Sequence, residues 1–273
     1  MLPPMPLPPE ARGIAALSRS DVEELLGRWE DSPFTAHSRG LLHHGLAHGY
    51  VEGDLTAPRA LVVQAGDAIT EPAAFGTDPN AVWQILKRIP GWDCVNVPTE
   101  LTAKIVSLLE DGLRMPTRVM GDLYFTLERD PVPFPHPMVR VLTPADEAIA
   151  RGSEPMVEPS GIGDTTSTLA HGVVAGAIIN GKLVSRVMTT AWAGNHVNLG
   201  ANTVPEWRGR GLATAATALV CSGLRARGLI PTWSTGEPNH ASRRVAEKLG
   251  FRYVGRRDYA IVEGLRPTGF RPG

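Results

Sequence analysis

The residues of this 273-residue chain with the clearest capacity for chemistry lie in a glycine- and arginine-rich stretch, VPEWRGRGLATAA, at positions 204–216. A strand-like run precedes this stretch, and an alanine-rich run with helical spacing follows it. The first amide groups of a helix have no acceptor within the helix, and the helix dipole adds partial positive charge there. A glycine turn that joins a strand to a helix is therefore suited to hold phosphate groups.

Two familiar phosphate loops fit this stretch poorly. A Walker loop ends in Gly-Lys-Ser or Gly-Lys-Thr, and Gly211-Leu212-Ala213 does not supply that ending. A dinucleotide fingerprint needs three glycines, but Gly209 and Gly211 are followed by Thr214 at the third position. That fingerprint also normally opens a domain, whereas this turn follows a predicted hairpin.

A third loop matches. Arg208–Ala213, RGRGLA, resembles the Arg/Gln-x-x-Gly-x-Gly/Ala turn that binds the pyrophosphate of coenzyme A in the GNAT superfamily of acyl-CoA-dependent N-acyltransferases. The stretch NHASRRVAEKLGF, from Asn239 to Phe251, resembles the second signature of the superfamily, an asparagine that opens a helix ending in Lys-Leu-Gly-Phe. The resemblance covers residues 139–262, and it is greatest to a bacterial group with two halves that includes acetyltransferases of the antibiotic-resistance type.

The resemblance implies acetyl-CoA as cosubstrate and no metal. In this fold the strand that ends at Thr203 splays from the next strand, and its free backbone groups pair with the pantetheine arm. Asn239 is expected to bond the same arm, and an ordinary role as helix N-cap is compatible with that. The residues expected to bind coenzyme A are Ala201, Asn202, Thr203, Arg208, Gly209, Arg210, Gly211, Leu212, Ala213, Thr214, Asn239 and Ser242.

Transfer of an acyl group from a thioester to an amine needs a neutral amine, a donor for the developing oxyanion, and a proton for the thiolate. By resemblance, the oxyanion donor is a backbone N–H near Asn202 or Thr203. Many members of the superfamily supply the base from a glutamate on or near the strand before the turn, but here that strand carries only asparagines after His196. The general base therefore stays open among Glu237, His196, His240, His171, Glu158 and Asp164.

The general acid also departs from the superfamily pattern. Many members carry a tyrosine seven residues after the asparagine, and this chain has Ala246 there. Ser242, one helical turn after Asn239, and Tyr259 are the substitutes. The predicted catalytic set is therefore Ser242, Glu237 and Tyr259.

These features predict an N-acetyltransferase that moves an acetyl group from acetyl-CoA to the amine of a small molecule by direct attack on the thioester. The alternatives are a non-catalytic module that binds or senses acyl-CoA, and a protein N-acetyltransferase. A metal site at His43, His44 and His48 is disfavoured, because the stretch HHGLAHG has no glutamate between its histidines and contains helix-weakening glycines.

The elements around these residues predict an α/β (α+β) fold. After residue 139, β-rich runs surround Asn180-Gly181, which is a strong hairpin signal because both residues tolerate positive φ. The predicted C-terminal half is a GNAT fold, with a mixed, splayed central sheet flanked by helices. The N-terminal half also alternates strand-like and helical runs, so we expect a second α/β half before it.

Proline patterns suggest the boundaries. Pro131, Pro133, Pro135 and Pro137 hold the chain extended and cannot donate ladder hydrogen bonds. We therefore predict a proline-rich tail at 1–13, an N-terminal α/β domain at 14–130, a linker at 131–138 and the GNAT domain at 139–273. The N-terminal domain serves substrate recognition or is a degenerate GNAT-like relative. A proline-blunted edge strand is the alternative to the linker.

Composition excludes several partners. Lys and Arg total 27 against 28 Asp and Glu, so there is no basic footprint for nucleic acid or an anionic membrane. Two cysteines make no disulfide framework, which is typical of a reducing cytoplasm. No apolar run has the length of a membrane span, and the apolar N-terminus has no basic region of a signal peptide. We expect a cytoplasmic protein, with a homodimer as an open expectation.

Overall fold

The computed structural model describes residues 13–66 and 68–265, which form two compact units. The first unit contains the described residues up to Glu30, Leu41–Leu123 and those from Arg256 onward. The second unit contains Asp31–Gly40 and Tyr124–Gly255. Each unit is discontinuous in sequence, since each takes a segment from the opposite half of the chain.

The first unit holds the helices and strands of the N-terminal half together with the end of the last strand. Its elements are α1 (Arg19–Arg28), the end of α2 (Ala36–His43), β1 (Ala47–Asp54), β2 (Ala57–Ala65), β3 (Ala73–Gly76), α3 (Pro79–Leu86), β4 (Cys94–Pro98), α4 (Thr102–Leu113), most of β5 (Thr117–Thr126) and most of β11 (Arg252–Val262).

The sheet of the first unit begins with antiparallel pairs. β1 pairs with β2 and β2 with β3, both antiparallel, whereas β3 and β4 are parallel with α3 between them in sequence. β11 then pairs antiparallel with β4, with Arg257 opposite Pro98 and Ile261 opposite Cys94. The core of this unit is mainly aliphatic and includes the fully buried Val82 and Val95, with Tyr50 and Trp92 as its aromatic members.

The second unit holds the rest of the chain. Its elements are the start of α2, the end of β5, β6 (Val139–Val141), α5 (Glu147–Arg151), α6 (Thr165–His171), β7 (Val174–Ile179), β8 (Lys182–Thr189), β9 (His196–Thr203), α7 (Leu212–Arg225), β10 (Ile230–Gly236), α8 (His240–Leu249) and the start of β11.

The sheet of the second unit repeats the order seen in the first. β6, β7, β8 and β9 pair antiparallel in turn, and β9 then pairs parallel with β10, with α7 between them in sequence. The predicted hairpin is present, because Asn180 and Gly181 join β7 to β8 with φ of 53° and 74°. α7 packs on one face through Leu212 against Ala177 and Val184. The opposite face is covered by α5 and α6, through Ala150 and Leu169.

The two units do not follow the boundaries expected from the prolines. Residues from Arg256 onward, which we expected in the GNAT domain at 139–273, lie in the first unit. Asp31–Gly40, which we expected in the N-terminal domain at 14–130, lie in the second. Strand pairing explains the first difference, because residues 257–261 of β11 pair with residues 94–98 of β4 in the N-terminal half.

The proline-rich segment has no regular secondary structure from Asp130 to Pro135, and it belongs to the second unit. The amide of Val132 donates to the carbonyl of Leu249 over 3.1 Å, and the ring of Phe134 lies near Gly211 and Lys248. In the described segments, no helix is long and apolar enough to cross a membrane.

Candidate active site

An open cleft of about 590 Å³ lies in the second unit between the end of β9, the turn into α7, and α8. It brings together all twelve residues that the sequence predicted to bind coenzyme A. These are Ala201, Asn202, Thr203, Arg208, Gly209, Arg210, Gly211, Leu212, Ala213, Thr214, Asn239 and Ser242.

The wall of the cleft on the β9 side is a strand that leaves its neighbour. β9 and β10 pair only over three positions, from His196 opposite Ile230 to Asn198 opposite Thr232. β9 continues to Thr203 with β8 alone beside it, so its other edge is open. This is the splayed, mixed sheet that the sequence predicted.

The backbone alternation of β9 identifies the groups that face the opening. The amide of Thr190 donates to Asn198 O over 2.9 Å, and the amide of Val204 donates to Val184 O over 2.9 Å. Antiparallel strands exchange these bonds at every second residue, so Asn202 also directs its N–H and C=O toward β8. The backbone groups of Ala201 and Thr203 therefore face the opening. The resemblance places the oxyanion donor near Asn202 or Thr203, and in this stretch the N–H groups that face the opening are those of Ala201 and Thr203.

The glycine turn presents unshared amides. Gly209 and Gly211 have φ of 76° and 79°, which other residues adopt only with strain. Gly211 is the N-cap of α7, and no side chain caps that helix. The first amides of α7 therefore remain available, as a diphosphate requires. The residues thus fit acetyl-CoA.

Gly211 lies close to the proline-rich segment. A Cβ at Gly211 would lie 3.2 Å from the Phe134 ring, whereas a Cβ at Gly209 would meet nothing within 4 Å. Gly211 is thus needed for its positive φ and for its close approach to the proline-rich segment.

Both arginines of the turn brace the local backbone. Arg208 donates from Nε to the carbonyl of Thr203 over 3.1 Å, which ties the turn to the end of β9. The Arg210 guanidinium lies 4.5 Å from the centre of the Trp207 ring and donates to Glu206 O over 3.4 Å. Both side chains still line the cleft, so they add positive charge to the place where a diphosphate would bind.

The start of α8 positions Ser242. Asn239 is the N-cap, and its Oδ1 accepts the amide of Ser242 over 3.1 Å. The hydroxyl of Ser242 accepts from the indole Nε1 of Trp233 over 3.0 Å. Because the hydroxyl acts as acceptor in that bond, its own proton is free to point into the cleft. Ala246, at the position where many members of the superfamily carry a tyrosine, is fully buried within α8.

Glu237 and Tyr259, the other two predicted catalytic residues, are not among the residues that line the cleft. Glu237 is exposed after β10. Tyr259 belongs to the first unit. Burial, with added repulsion from Asp122 and Glu71, raises the pKa of its hydroxyl well above the usual value. A higher pKa makes Tyr259 a weaker acid.

The five remaining candidates for the base also lie outside the lining of the cleft. Glu158 accepts from Thr165 over 2.5 Å. His196 Nδ1 lies 3.3 Å from Asp31 Oδ1. Asp164 caps α6, and the backbone amide of Ser167 that it accepts lowers the pKa of its carboxyl. His171 and His240 are exposed. The base therefore stays an open prediction.

Sequence reasoning missed several lining residues on α8 and nearby. Ala241 lies three and four positions before Arg244 and Val245, and Lys248 lies four and three positions after them, so these residues share one helix face. This spacing was visible in the sequence once Asn239 was taken as the start of the helix. The other missed lining residues are Trp207 and Trp233.

The equivalent place in the first unit is closed by the unit's own side chains. β3 and β4 pair at Ala73 and Asn96 and then separate. The Arg257 guanidinium fills the gap: Nη2 donates to Ala74 O over 2.6 Å and to Asn96 O over 3.1 Å, while Nε donates to Asn96 Oδ1. The same guanidinium lies 4.5 Å from the centre of the Phe75 ring.

The helix that follows is also closed. Asp78 caps α3 and accepts the amides of Asn80 and Ala81 over 2.9 and 3.2 Å. Pro79 has no amide hydrogen to offer. A carboxylate of the chain therefore occupies the anion site that α7 leaves open.

Within the described residues, no group of three or more histidine, cysteine or acidic side chains is arranged to hold a metal ion. The rings of His43 and His44 stack edge to face with centroids 5.2 Å apart.

Comparison with known proteins finds a family similarity over the part of the chain that contains this site. Residues 163–260 match the model of the GNAT acetyltransferase family. No curated protein matches the chain in sequence.

Solved structures share the fold over nearly the whole chain. A GCN5-related N-acetyltransferase-like protein from Streptococcus suis is 18% identical, covers 89% of this chain and 98% of its own, and has a TM-score of 0.62. A GCN5-related N-acetyltransferase from Kribbella flavida is 15% identical over 85% and 94%, with a TM-score of 0.56. A tandem GNAT protein from the clavulanic acid biosynthesis pathway is 13% identical over 91% and 97%, with a TM-score of 0.54.

Proposed function

We propose that this chain, a GNAT acetyltransferase with two halves, transfers the acetyl group of acetyl-CoA to the amine of a small molecule. The observation that carries the proposal is the cleft in the second unit. There the open edge of β9, the uncapped start of α7 and the Ser242 hydroxyl meet in one space of about 590 Å³. Acetyl-CoA supplies the activated acyl group when it is bound.

The start of α7 binds the negative end of the cosubstrate. Its first amides and the positive end of its dipole face the cleft, and Arg208 and Arg210 add charge. Arg244 and Lys248 line the opposite wall from α8. The free backbone groups of Ala201 and the amide of Thr203 pair with the pantetheine arm like an added strand, while the Thr203 carbonyl already accepts from Arg208.

The chemistry then depends on groups near the splay. A backbone N–H of Ala201 or Thr203 donates to the thioester oxygen as negative charge develops on it. The Ser242 hydroxyl, held by Trp233 Nε1 and free to donate, supplies a proton to the departing thiolate and recovers one from water. The acceptor amine attacks in its neutral form, so a base or water removes its proton.

Release of free thiol from acetyl-CoA in the presence of a panel of small amines tests this function. We expect amine-dependent release that is lost in Gly211→Val. If the chain binds coenzyme A but none of the amines tested causes release of thiol, it is the sensing module. If only lysine-containing peptides support release, it is a protein N-acetyltransferase. Either outcome contradicts the proposed acceptor.

A further inference from the structure

Arg186 is a buried cation in the middle of the second unit. It lies on β8 directly opposite Asn202 of β9, and only 6% of the residue is exposed. A Cβ on Gly200 would lie 3.3 Å from Nη1 of Arg186, so the guanidinium lies against Gly200. Gly200 belongs to the part of β9 that has already separated from β10.

Within the described residues, the guanidinium of Arg186 has neither a hydrogen-bond acceptor nor an opposite charge. Its Nε is fully buried without a partner. Burial alone, with no carboxylate to offset it, lowers the pKa of Arg186 to about 10. Nη1 and Nη2 are not among the fully buried unpaired atoms, so the end of the fork reaches solvent. An unpaired buried charge costs stability, so Arg186 is not explained by its contribution to the fold.

The guanidinium lies on the face of the sheet opposite α7. The hydroxyls of Ser185 and Thr203 touch over 2.8 Å on one face, so the next pair, Arg186 and Asn202, points to the other. Met188 shares that second face and packs with Leu169 of α6. Since α7 and its anion site occupy the first face, an acceptor approaching the splay from the other side meets Arg186.

We propose that Arg186 binds a carboxylate of the acceptor, so that the substrate of this acetyltransferase is an amino acid or a similar amine that carries an acidic group. A planar guanidinium matches a carboxylate in two parallel hydrogen bonds, and such a carboxylate supplies the negative charge that Arg186 does not find among the described residues. The inference rests on the proposed function and deepens it, because it gives the chemical class of the small amine.

The test compares matched acceptors in the thiol-release assay. Each amino acid is compared with its own carboxamide, which keeps the amine and removes the charge; an aminoalkyl phosphate tests whether any anion suffices. We expect the wild type to favour the carboxylate in kcat/KM by about 10- to 100-fold, the scale of one charge-assisted pair. The ratio falls toward one in Arg186→Met, is partly kept in Arg186→Lys, and is unchanged in the exposed control Arg227→Met.

A second measurement separates binding from structure. Removal of an unpaired buried charge raises the melting temperature of Arg186→Met by about 2 to 4 °C. A lower melting temperature with an unchanged substrate ratio makes Arg186 structural and overturns the inference. Equal use of acid and amide by the wild type, or preference for the phosphate, overturns it as well. If no amine of any kind supports release of thiol, the proposed function itself is contradicted, and this result differs from equal use of acid and amide.

Discussion

We propose the Ser242 hydroxyl as the proton donor in place of the tyrosine of the superfamily pattern. Trp233 Nε1 donates to it, and Asn239 holds the amide of the same residue, so both the position and the free proton are determined. A thiolate leaves without full protonation, which is why a weak acid suffices. The first turn of α8 also favours the developing negative charge.

Replacement of Ser242 by alanine is therefore expected to lower turnover by roughly tenfold to a hundredfold, the lower part of the range for general acid catalysis. Affinity for coenzyme A changes little, because the diphosphate is bound elsewhere. Steady-state kinetics with calorimetric binding checks this. Tyr259→Phe is the matched comparison, and if that variant is the crippled one, the acid lies on β11.

The ion pair of Arg140 and Asp146 is expected to make the stability of the fold depend on pH. The Asp146 carboxyl accepts from both terminal nitrogens of Arg140, one of them over 2.8 Å, and from the amide of Thr143 over 2.9 Å. Chiefly because of the Arg140 hydrogen bonds, the pKa of Asp146 falls from 3.8 to about 2.

Because the folded-state pKa of Asp146 is lowered, its contribution is complete above about pH 4 and is lost as pH falls toward 2. Arg140 is half exposed, so solvent screening limits the contribution to about 1 to 2 kcal/mol. Asp146→Asn should reduce the free energy of unfolding in urea at pH 7, and the gap to the wild type should narrow toward pH 3. A gap that stays constant, as expected for the exposed control Asp130→Asn, would mean that the ion pair is not the cause.

At the scale of elements, the turn between β9 and α7 combines two requirements in Gly211. Its φ of 79° would strain any other residue, and Phe134 stands 3.2 Å from where a Cβ would be. Gly228, at the other end of α7, has a φ of 75° but meets nothing within 4 Å. The two glycines thus share the backbone conformation and differ in what surrounds them.

Gly211→Val should abolish binding of coenzyme A, because the turn shifts away from Phe134 and displaces the first amides of α7. Gly228→Val carries a similar backbone strain of about 1 to 3 kcal/mol and should leave binding intact. Calorimetry and circular dichroism on both variants check this. Unchanged affinity in a folded Gly211→Val protein would remove the turn from the binding site.

Local signals predicted these elements well. Asn180-Gly181 and the Gly209–Gly211 turn could be placed because positive φ is a property of a residue and its neighbours. The splay after Asn198 came from the family resemblance, since no pattern in the strand encodes which edge stays unpaired. The sequence did not predict a role for Arg186 for a similar reason, because a strand pattern does not reveal that a charge is buried without a partner.

At the scale of the whole molecule, the sequence pattern predicted a division at the proline-rich segment. In the structure, each compact unit instead contains a segment from the other half of the chain. Leu127 donates to Pro231 O, and Val132 donates to Leu249 O, so residues before Val139 complete the second unit. Asp31 accepts the amide of Asn195 over 2.6 Å. Such pairing joins residues more than a hundred positions apart, and no local pattern predicts it.

The two units share an order of strands, but within the described residues the helix that follows the splay begins uncapped in the second unit and capped in the first. In the second unit, α7 begins at an uncapped glycine beside an open strand edge. In the first, Asp78 accepts the leading amides of α3, and Arg257 bridges the carbonyls of Ala74 and Asn96 across the gap. A carboxylate cap repels a phosphate, and a buried guanidinium with its bonds satisfied is costly to displace.

We therefore expect one coenzyme A per chain. Calorimetric titration of the full chain should give a stoichiometry of one, and Gly211→Val should leave no binding at all, because the first unit has nothing to substitute for α7. Arg257→Ala should lower stability by several kcal/mol, since it leaves two buried carbonyls and Asn96 without their donor, but it should not change the stoichiometry. A second binding event in the wild type, or one that survives in Gly211→Val, would show that the first unit binds the cosubstrate despite its Asp78 cap.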